Sequence, residues 1–361
     1  MSGAQDLIVD IVIDNYNYGA YLGEAIESAC RQSHPNVNVI VVDDGSTDNS
    51  RAVLAHYEDR VQVVLKENGG QASALNAGMA ICEGDIVIFL DADDVLRPQA
   101  AALVAAAFAA DRRVAKTQFR MDVIDAEGRP SGAIKPPPHM RMPSGDLRGA
   151  ELAYPYDLTW LAMSANAFRS AALAPIFPIP ERDFRICADW YLVHLGALLG
   201  TVASIEELGA SYRLHGANNY EPQAAELDLD HIRETIGYAR ATSPALLALA
   251  GELGLPHPAR ILSIADLANR MISLRLDRGR HPLPTDTTTG LLADSVRATR
   301  RRSAASAALK LAFIAWFAAM ALAPAPAARR LAEVFLFPER RMRLNPLLGR
   351  LQRRGESASW A

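Results

Sequence analysis

Short apolar runs alternate with helical segments through the first hundred residues of the chain. Runs of this length, separated by amphipathic or small-residue segments, are typical of the strands and helices of βαβ units. The pattern therefore predicts a parallel sheet with right-handed crossovers. The predicted strands are Leu7–Ile13, Val37–Val42, Val61–Leu65 and Ile86–Leu90, and the predicted helices are Tyr21–Gln32, a segment around Val53–Tyr57, Gln71–Ile81 and residues 98–110.

Each predicted strand is followed by a cluster of polar residues. The clusters are Asn15–Asn17, Asp43–Ser46, Asn68–Gly70 and Asp91–Asp94. The carboxyl ends of parallel strands lie at one edge of a sheet, so these clusters are expected to meet at one cleft. Turn formation explains each cluster separately, but it does not explain the carboxylates in two of them. Convergent polar groups at such an edge predict a ligand site.

The last of these clusters is the most acidic. Ile86–Leu90 is a run of consecutive apolar residues, which is typical of a strand buried on both faces. Asp91, Asp93 and Asp94 follow it at once. Carboxylates this close together repel one another, and a divalent cation with oxygen ligands is the usual solution. A solvated acidic turn before the helix near Pro98 is the alternative for this triplet alone.

Composition narrows the class of protein. The chain has 361 residues, half of them apolar, and a net charge of -4. These values predict two or three globular domains and no nucleic-acid partner. Cys30, Cys82 and Cys187 lack the spacing of a disulfide framework or a zinc site, which fits a reducing cytoplasm. The first residues contain no basic segment followed by an apolar one, so no export signal is expected.

Several common motifs do not occur in the sequence. It has no GxGxxG after the first predicted strand, and no GxxxxGK[ST], HExxH or GxSxG. This argues against a dinucleotide dehydrogenase, a P-loop NTPase, a zinc protease and an α/β-hydrolase. An acidic cleft repels a phosphate until a divalent cation bridges the two, so a diphosphate held through Mg²⁺ or Mn²⁺ is the chemical match.

In their order along the chain, these segments resemble the motifs of glycosyltransferase family 2. The matching segments are Ile11–Ile13 with Asn15–Asn17, Val41–Asp48, Asn68–Gly70 with Asn76–Gly78, and Asp91–Asp93. The resemblance covers about residues 7 to 222. It implies a GT-A fold, an α/β fold whose Rossmann-like, mostly parallel sheet is flanked by helices. It also implies a nucleotide-sugar donor, most often a UDP-sugar, a divalent metal and inversion at the anomeric carbon.

The resemblance assigns roles in donor binding. Asn15 and Tyr16 would border the base of the nucleotide. Asp43 or Asp44 would bond the ring nitrogen of the base, and Asp91 would touch the ribose. The remaining donor-site candidates are Asn17, Asn68, Gly70, Asn76 and Ala92.

The resemblance also implies a metal site. Asp93, the second acid of the DxD motif, would hold Mn²⁺ or Mg²⁺ on the diphosphate. His215 lies in Tyr212–Asn219, a segment similar to a C-terminal motif of the family whose histidine often completes metal or diphosphate contacts. Imidazole is a suitable ligand for Mn²⁺. Asp14 departs from the family pattern, which usually has proline there, and it adds negative charge beside the base.

Asp189 is the candidate general base. The family usually has a Glu-Asp pair at this position, and here only the Asp is present. Its place at the start of a predicted helix would hold the carboxylate ionised and able to deprotonate an acceptor hydroxyl. An Asp at a helix start also caps the helix, which is the structural alternative. The candidate acceptor contacts are Trp160, Asn166 and Trp190, for which packing is the alternative.

The sequence divides into three regions. Residues 1–110 form a predicted donor half, and residues 111–222 form the acceptor half of the same catalytic domain. Residues 223–361 are predicted to be a helical C-terminal region, in which arginines flank an apolar segment at 304–323. Its fully apolar part, Leu311–Ala323, is shorter than the about 20 residues of a membrane span. It is expected either to lie on an anionic membrane surface or to pack on the protein.

Together these features predict a metal-dependent inverting glycosyltransferase. It would move a sugar from a nucleoside-diphosphate sugar to a saccharide or lipid-linked acceptor, in the assembly of cell-surface polysaccharide or glycolipid. The cytoplasm, or the inner face of the membrane, is the expected location. A sugar nucleotidyltransferase is one alternative, and a nucleotide-sugar-binding protein that has lost its catalytic base is another.

Overall fold

A computed structural model of the protein describes residues 3–216, 218, 226–302 and 305–337. The described residues form two compact units. The first contains those of Met1–Arg148 and Trp160–Glu221, and the second those of Gly149–Thr159 and Pro222–Ala361. Gly149–Thr159, which the sequence placed in the acceptor half, thus belongs to the C-terminal unit. The functional division at residue 110 stays a prediction.

The first unit is built on a nine-stranded sheet. Its strands are β1 (Val9–Asn15), β2 (Val37–Asp43), β3 (Gln62–Leu65), β4 (Ile86–Asp91), β5 (Val95–Leu96), β6 (Val114–Asp125), β7 (Pro130–Lys135), β8 (Asn166–Arg169) and β9 (Thr201–Leu214). The strand order is β3-β2-β1-β4-β8-β6-β9-β5, with β7 paired to β6. The helices before residue 222 are α1 (Gly19–Cys30), α2 (Ser50–Leu54), α3 (Gln71–Met79), α4 (Ala100–Ala110), α5 (Arg148–Ala153) and α6 (Ala188–Gly196), and all of α5 after Arg148 belongs to the second unit.

The predicted strands β1 to β4 and the helices between them are confirmed, with bounds that shift by a few residues. All neighbouring pairs among these four strands are parallel. β4 is buried along its apolar run, and α1 buries Leu22, Ala25, Ile26 and Ala29 on one side. The sheet is therefore covered by helices on its faces, as a parallel sheet requires. Its carboxyl edge is left to carry the polar clusters.

The strand β9 was not predicted. Glu206 and Glu207 interrupt its apolar pattern, and its partner β6 lies far away in the sequence. A contact between distant residues stabilises Glu206 in the strand, because the buried Arg120 of β6 donates to Glu206 Oε2 at 2.6 and 2.8 Å. Arg120 also donates to the carbonyls of Pro136, Pro137 and Met140, and so it fixes the loop after β7.

The second unit is helical, as predicted. Its long helices are α7 (Leu229–Glu252), α8 (Ile264–Leu276), α9 (Thr288–Arg301), α10 (Ala307–Leu322) and α11 (Ala325–Leu336). The predicted apolar segment forms α10, whose Phe313, Phe317 and Met320 lie in the core of this unit. Among the described residues, no helix has both the length and the apolar character to cross a membrane. The predicted basic residues from Arg340 onward lie outside the described residues.

Gly209 of β9 offers a test of the β6–β9 packing. A Cβ at Gly209 would lie 2.3 Å from Cδ2 of the buried Phe119, so Gly209→Ala should lower the free energy of unfolding by about 1–3 kcal/mol. Urea denaturation measures this. The control is Gly23→Ala in α1, where the nearest atom to the new Cβ is Tyr57 Oη at 3.5 Å, an ordinary contact. Equal stability of the two variants would contradict the packing described.

Candidate active site

The ends of β1 and β2 are joined by side chains. Asn15 Nδ2 donates to Asp43 Oδ1 at 2.9 Å and to Ser46 Oγ at 3.1 Å. Asn17 has a positive φ of 61°, and its Oδ1 accepts from the backbone N–H of Thr47 at 2.8 Å. The first two polar clusters therefore meet, as the parallel sheet predicted. Tyr16 beside them is 46% exposed, so its ring is available at the rim.

Asp44 ties the third cluster to the second. Its Oδ1 accepts from Lys66 Nζ at 2.6 Å and from the N–H of Gly69 at 2.9 Å, and its Oδ2 accepts from the N–H of Gly70 at 2.6 Å. Asp43 and Asp44 are both buried, and both carboxylates already accept hydrogen bonds inside the protein. Contact of either with a base stays a prediction.

Other donor-site candidates also hold loops in place. Asn68 Oδ1 accepts from Arg185. Gly70 has a positive φ of 92°, and a Cβ there would collide with the backbone of Arg185. Asn76 exchanges hydrogen bonds with the backbone of Ile179, at 2.9 and 2.7 Å. Ala92 is buried. Asn68, Gly70 and Asn76 therefore position the segment that precedes α6.

Gln71 joins the fourth cluster to α6. Its Nε2 donates to Asp91 Oδ1 at 3.1 Å, and its Oε1 accepts from the N–H of Ala188 at 2.8 Å. Its own N–H donates to the carbonyl of Arg185 at 2.7 Å. One side chain thus links the first acid of the DxD motif to the residue before Asp189. This role of Gln71 is not visible in the sequence, because it depends on contacts between residues far apart in the chain.

Asp14 is a further acid of the site, at a position to which the family motifs assign no role. It pairs with Asp91 in the register of β1 and β4. Burial and the charge of Asp93 raise the pKa of Asp14 to about 7, and its Oδ1 accepts no hydrogen bond from any described residue. Burial and the charge of Asp93 also raise the pKa of Asp94 to about 8. Burial, then the charge of Asp14, raises the pKa of Asp91 well above its usual value.

Asp93 and His215 form a pair at the edge of this acidic cluster. His215 Nε2 lies 2.9 Å from Asp93 Oδ2, and its ring stacks on Tyr21 at a centroid distance of 5.0 Å. The contact joins residues predicted separately as metal ligands. Within residues 3–216, 218, 226–302 and 305–337, no three His, Cys, Asp or Glu side chains are grouped to hold a metal ion. Ligands from a bound diphosphate would have to complete the coordination.

The ligand atoms of Asp93 and His215 nevertheless suit a divalent cation. Asp93 offers an oxygen and His215 a nitrogen, and both suit Mn²⁺. The raised pKa values of Asp14, Asp91 and Asp94 express the cost of burying like charges together, and a cation lowers that cost.

Arg213 of β9 binds the turn that carries Asp93 and Asp94 from inside the protein. Its Nε donates to the carbonyl of Asp93 at 2.8 Å, and its backbone N–H donates to Asp94 Oδ1 at 2.9 Å. The side chain is 1% exposed and also pairs with Glu24 at 2.5 Å. No strand is predicted at Arg213 from the sequence, so this role was not expected. The signal was present, since Arg213 comes only two residues before His215.

Asp189 lies in the first turn of α6. Its Oδ1 accepts from the N–H of Trp190 at 2.8 Å. The helix start was expected to hold Asp189 ionised, but burial outweighs this hydrogen bond and raises the pKa of Asp189. Besides burial and nearer acids, the charge of Asp189 also raises the pKa of Asp14 and of Asp91, so these carboxyl groups interact electrostatically.

The three acceptor candidates differ in their surroundings. Trp160 and Trp190 both pack edge-on against His194, with ring centroids 6.2 and 5.2 Å away. Lys116 Nζ lies 4.1 Å from the centroid of the Trp160 ring. Asn166, by contrast, is completely buried, and its Nδ2 donates to the carbonyls of Leu161 and Ala162. Asn166 therefore orders the turn before β8, and its contact with an acceptor stays a prediction.

Among solved structures, the fold is similar to that of S. aureus TarS, residues 1–349. The match has a TM-score of 0.53 and 17% sequence identity, and it covers 91% of this chain and 90% of that one. The same TarS fragment in complex with UDP matches with a TM-score of 0.51 and 16% identity, over 91% of this chain and 90% of that one. At this level of identity the likeness concerns the fold, which is GT-A, as predicted.

Sequence comparison adds the family. An uncharacterized glycosyltransferase of Nostoc sp. (strain PCC 7120) is 35% identical over 222 residues, which are 60% of this chain and 68% of that protein. TuaG of Bacillus subtilis (strain 168), named for teichuronic acid biosynthesis, is 41% identical over 91 residues, which are 24% of this chain and 36% of that protein. The model of the family called Glycosyl transferase family 2 matches residues 10–165. The chain therefore belongs to glycosyltransferase family 2.

Proposed function

We propose that this glycosyltransferase is a metal-dependent, inverting enzyme that uses a nucleoside-diphosphate sugar. The observation that carries the proposal is the bridge made by Gln71 between Asp91 and Ala188. It ties the DxD loop, where the donor would bind, to the helix turn that carries Asp189. A metal site for a leaving diphosphate and a base for an incoming hydroxyl are the two parts that such a transfer needs.

The chemistry assigned to each residue follows from its place. Asp93 and His215 would hold the divalent cation, which when bound neutralises charge on the departing nucleoside diphosphate. Asp189 would accept the proton of the acceptor hydroxyl as its oxygen attacks the anomeric carbon. A base that is too acidic takes up a proton poorly, so the raised pKa of Asp189 improves it for this task.

We further propose a UDP-sugar as donor and a saccharide or lipid-linked acceptor in cell-surface polysaccharide assembly. The UDP complex of TarS, which shares the fold, supports the choice of nucleotide. The name of TuaG supports the class of acceptor. Trp160 and Trp190 would border the acceptor, because both are partly exposed and Trp190 directly follows Asp189. The nucleotidyltransferase alternative has no support from these relatives.

Replacing Asp93 tests the metal assignment. Asp93→Ala should abolish the part of UDP binding that depends on Mn²⁺, because one of two protein ligands is lost and the remaining site has less charge for the cation. Isothermal titration with UDP, with and without Mn²⁺, measures this, and we expect affinity in Mn²⁺ to fall at least about tenfold. The exposed Asp59 supplies the control variant, Asp59→Ala, which should bind as wild type. Unchanged Mn²⁺-dependent binding by Asp93→Ala would refute the assignment.

Replacing Asp189 tests the base and separates an enzyme from a binding protein. Asp189→Asn should retain UDP affinity but lower the release of nucleoside diphosphate from a panel of nucleotide sugars by about 100-fold or more. In wild type the rate should fall as pH drops through the raised pKa of Asp189, since protonation removes the base. The Asn variant should lack this limb of the pH profile. Full turnover by Asp189→Asn would show that another group is the base, and no turnover by wild type with any donor would favour a binding protein.

A further inference from the structure

One face of α10 is exposed and carries no polar side chain. The exposed residues of this helix are Ala307, Ala308, Leu311, Ala312, Ala315, Ala319 and Leu322. Leu311 is 68% exposed and Leu322 is 85% exposed. Lys310 is the one charged residue of α10, and it is only partly exposed. We call the exposed residues the α10 stripe.

The α10 stripe is continuous along the helix. Its members from Ala308 to Leu322 recur at intervals of three or four residues, so they share one side of an α-helix. At about 1.5 Å per residue this side is roughly 21 Å long. The opposite side is already used, because Phe313, Phe317 and Met320 are buried in the core of the unit. An exposed apolar surface of this extent is typical of an interaction site.

Cationic residues stand at both ends of the α10 stripe in the chain. Arg300 and Arg301 end α9 and are exposed, and Arg329 and Arg330 are exposed on α11. Further arginines follow in the sequence after residue 337, at Arg340, Arg341, Arg343, Arg350, Arg353 and Arg354, against two glutamates, Glu339 and Glu356. An apolar helix side with basic flanks is complementary to a surface that has an apolar interior and anionic head groups.

A second copy of the chain complements this surface less well. Because arginines stand at both ends of α10, pairing two such helices in parallel or antiparallel brings cationic ends together. Insertion across a bilayer does not fit either, since the 16 residues of α10 are fewer than the about 20 that a span needs. A helix that lies in the plane of the membrane would place the leucines against acyl chains and the arginines near anionic head groups.

We propose that the α10 stripe and its flanking arginines seat the C-terminal unit on an anionic membrane surface. The apolar side chains enter the boundary between head groups and acyl chains, and the arginines contact lipid phosphates. This proposal does not depend on the assignment of donor, metal or base. It concerns a surface to which none of the family motifs contributes.

Vesicle sedimentation with the full chain tests the proposal. The protein should bind vesicles of phosphatidylcholine with about a quarter phosphatidylglycerol, and bind pure phosphatidylcholine at least about tenfold more weakly. The double variant Leu311→Glu with Leu322→Glu should lose at least about tenfold in affinity for the anionic vesicles. The matched control is Leu253→Glu, which replaces a leucine that is 41% exposed after the end of α7, and it should bind as wild type.

A second variant tests the charges without touching the α10 stripe. Arg300→Gln with Arg330→Gln should weaken binding to anionic vesicles by about fivefold for each arginine and reduce its dependence on salt. Circular dichroism checks that each variant is folded. The proposal fails if wild type does not bind anionic vesicles, if it binds neutral vesicles equally well, or if both variants bind as wild type. It also fails if analytical ultracentrifugation shows self-association that the leucine variant abolishes while vesicles are not bound.

Discussion

The crowding of carboxyl groups at one edge of a parallel sheet is the constraint on which the site depends. Parallel pairing of β1 with β4 sets Asp14 beside Asp91, and the turn after β4 adds Asp93 and Asp94. Burial removes the water that would screen these charges, so the pKa values of Asp14, Asp91 and Asp94 rise. The site therefore has a strong preference for anything positive. That preference agrees with the proposed binding of a diphosphate through a divalent cation.

Arg213 offsets part of the free-energy cost of burying these carboxylates. Arg213 is buried beneath the loop, and it binds the carbonyl of Asp93 while its backbone holds Asp94. Its guanidinium thus supports the shape of the acidic turn and leaves the Asp93 carboxylate facing His215. Because Arg213 also pairs with Glu24 of α1, the turn is anchored to the layer of helices that covers the sheet. Such rigid support keeps ligand groups in place before a ligand arrives.

The loops around the acids are fixed by polar side chains that reach between strand ends. Asp44 holds the turn before α3, and Gln71 holds the turn before α6. The residues nearest the proposed chemistry are therefore held by hydrogen bonds rather than by apolar packing. A network of this kind specifies geometry closely, because each buried polar group costs free energy when it loses its partner. It also explains why several donor-site candidates from the motifs turn out to have internal partners.

What the sequence determined by itself is local in origin. Alternating apolar runs, polar strand ends and helix spacing were enough for β1 to β4, for their helices and for the meeting of their polar clusters at one edge. The tertiary structure alone decided the features that depend on distant partners. β9 contains two glutamates, yet it forms a strand because it pairs with β6 along its length and because Arg120 of β6 binds Glu206. Burial raises the pKa of Asp189, and the position of this residue at a helix start does not show how deeply its side chain is buried. Packing also buried Asn166 against the carbonyls of Leu161 and Ala162 and divided α10 into a packed side and an exposed one. Periodicity records which residues share a face of an element, but only packing determines what, if anything, covers that face.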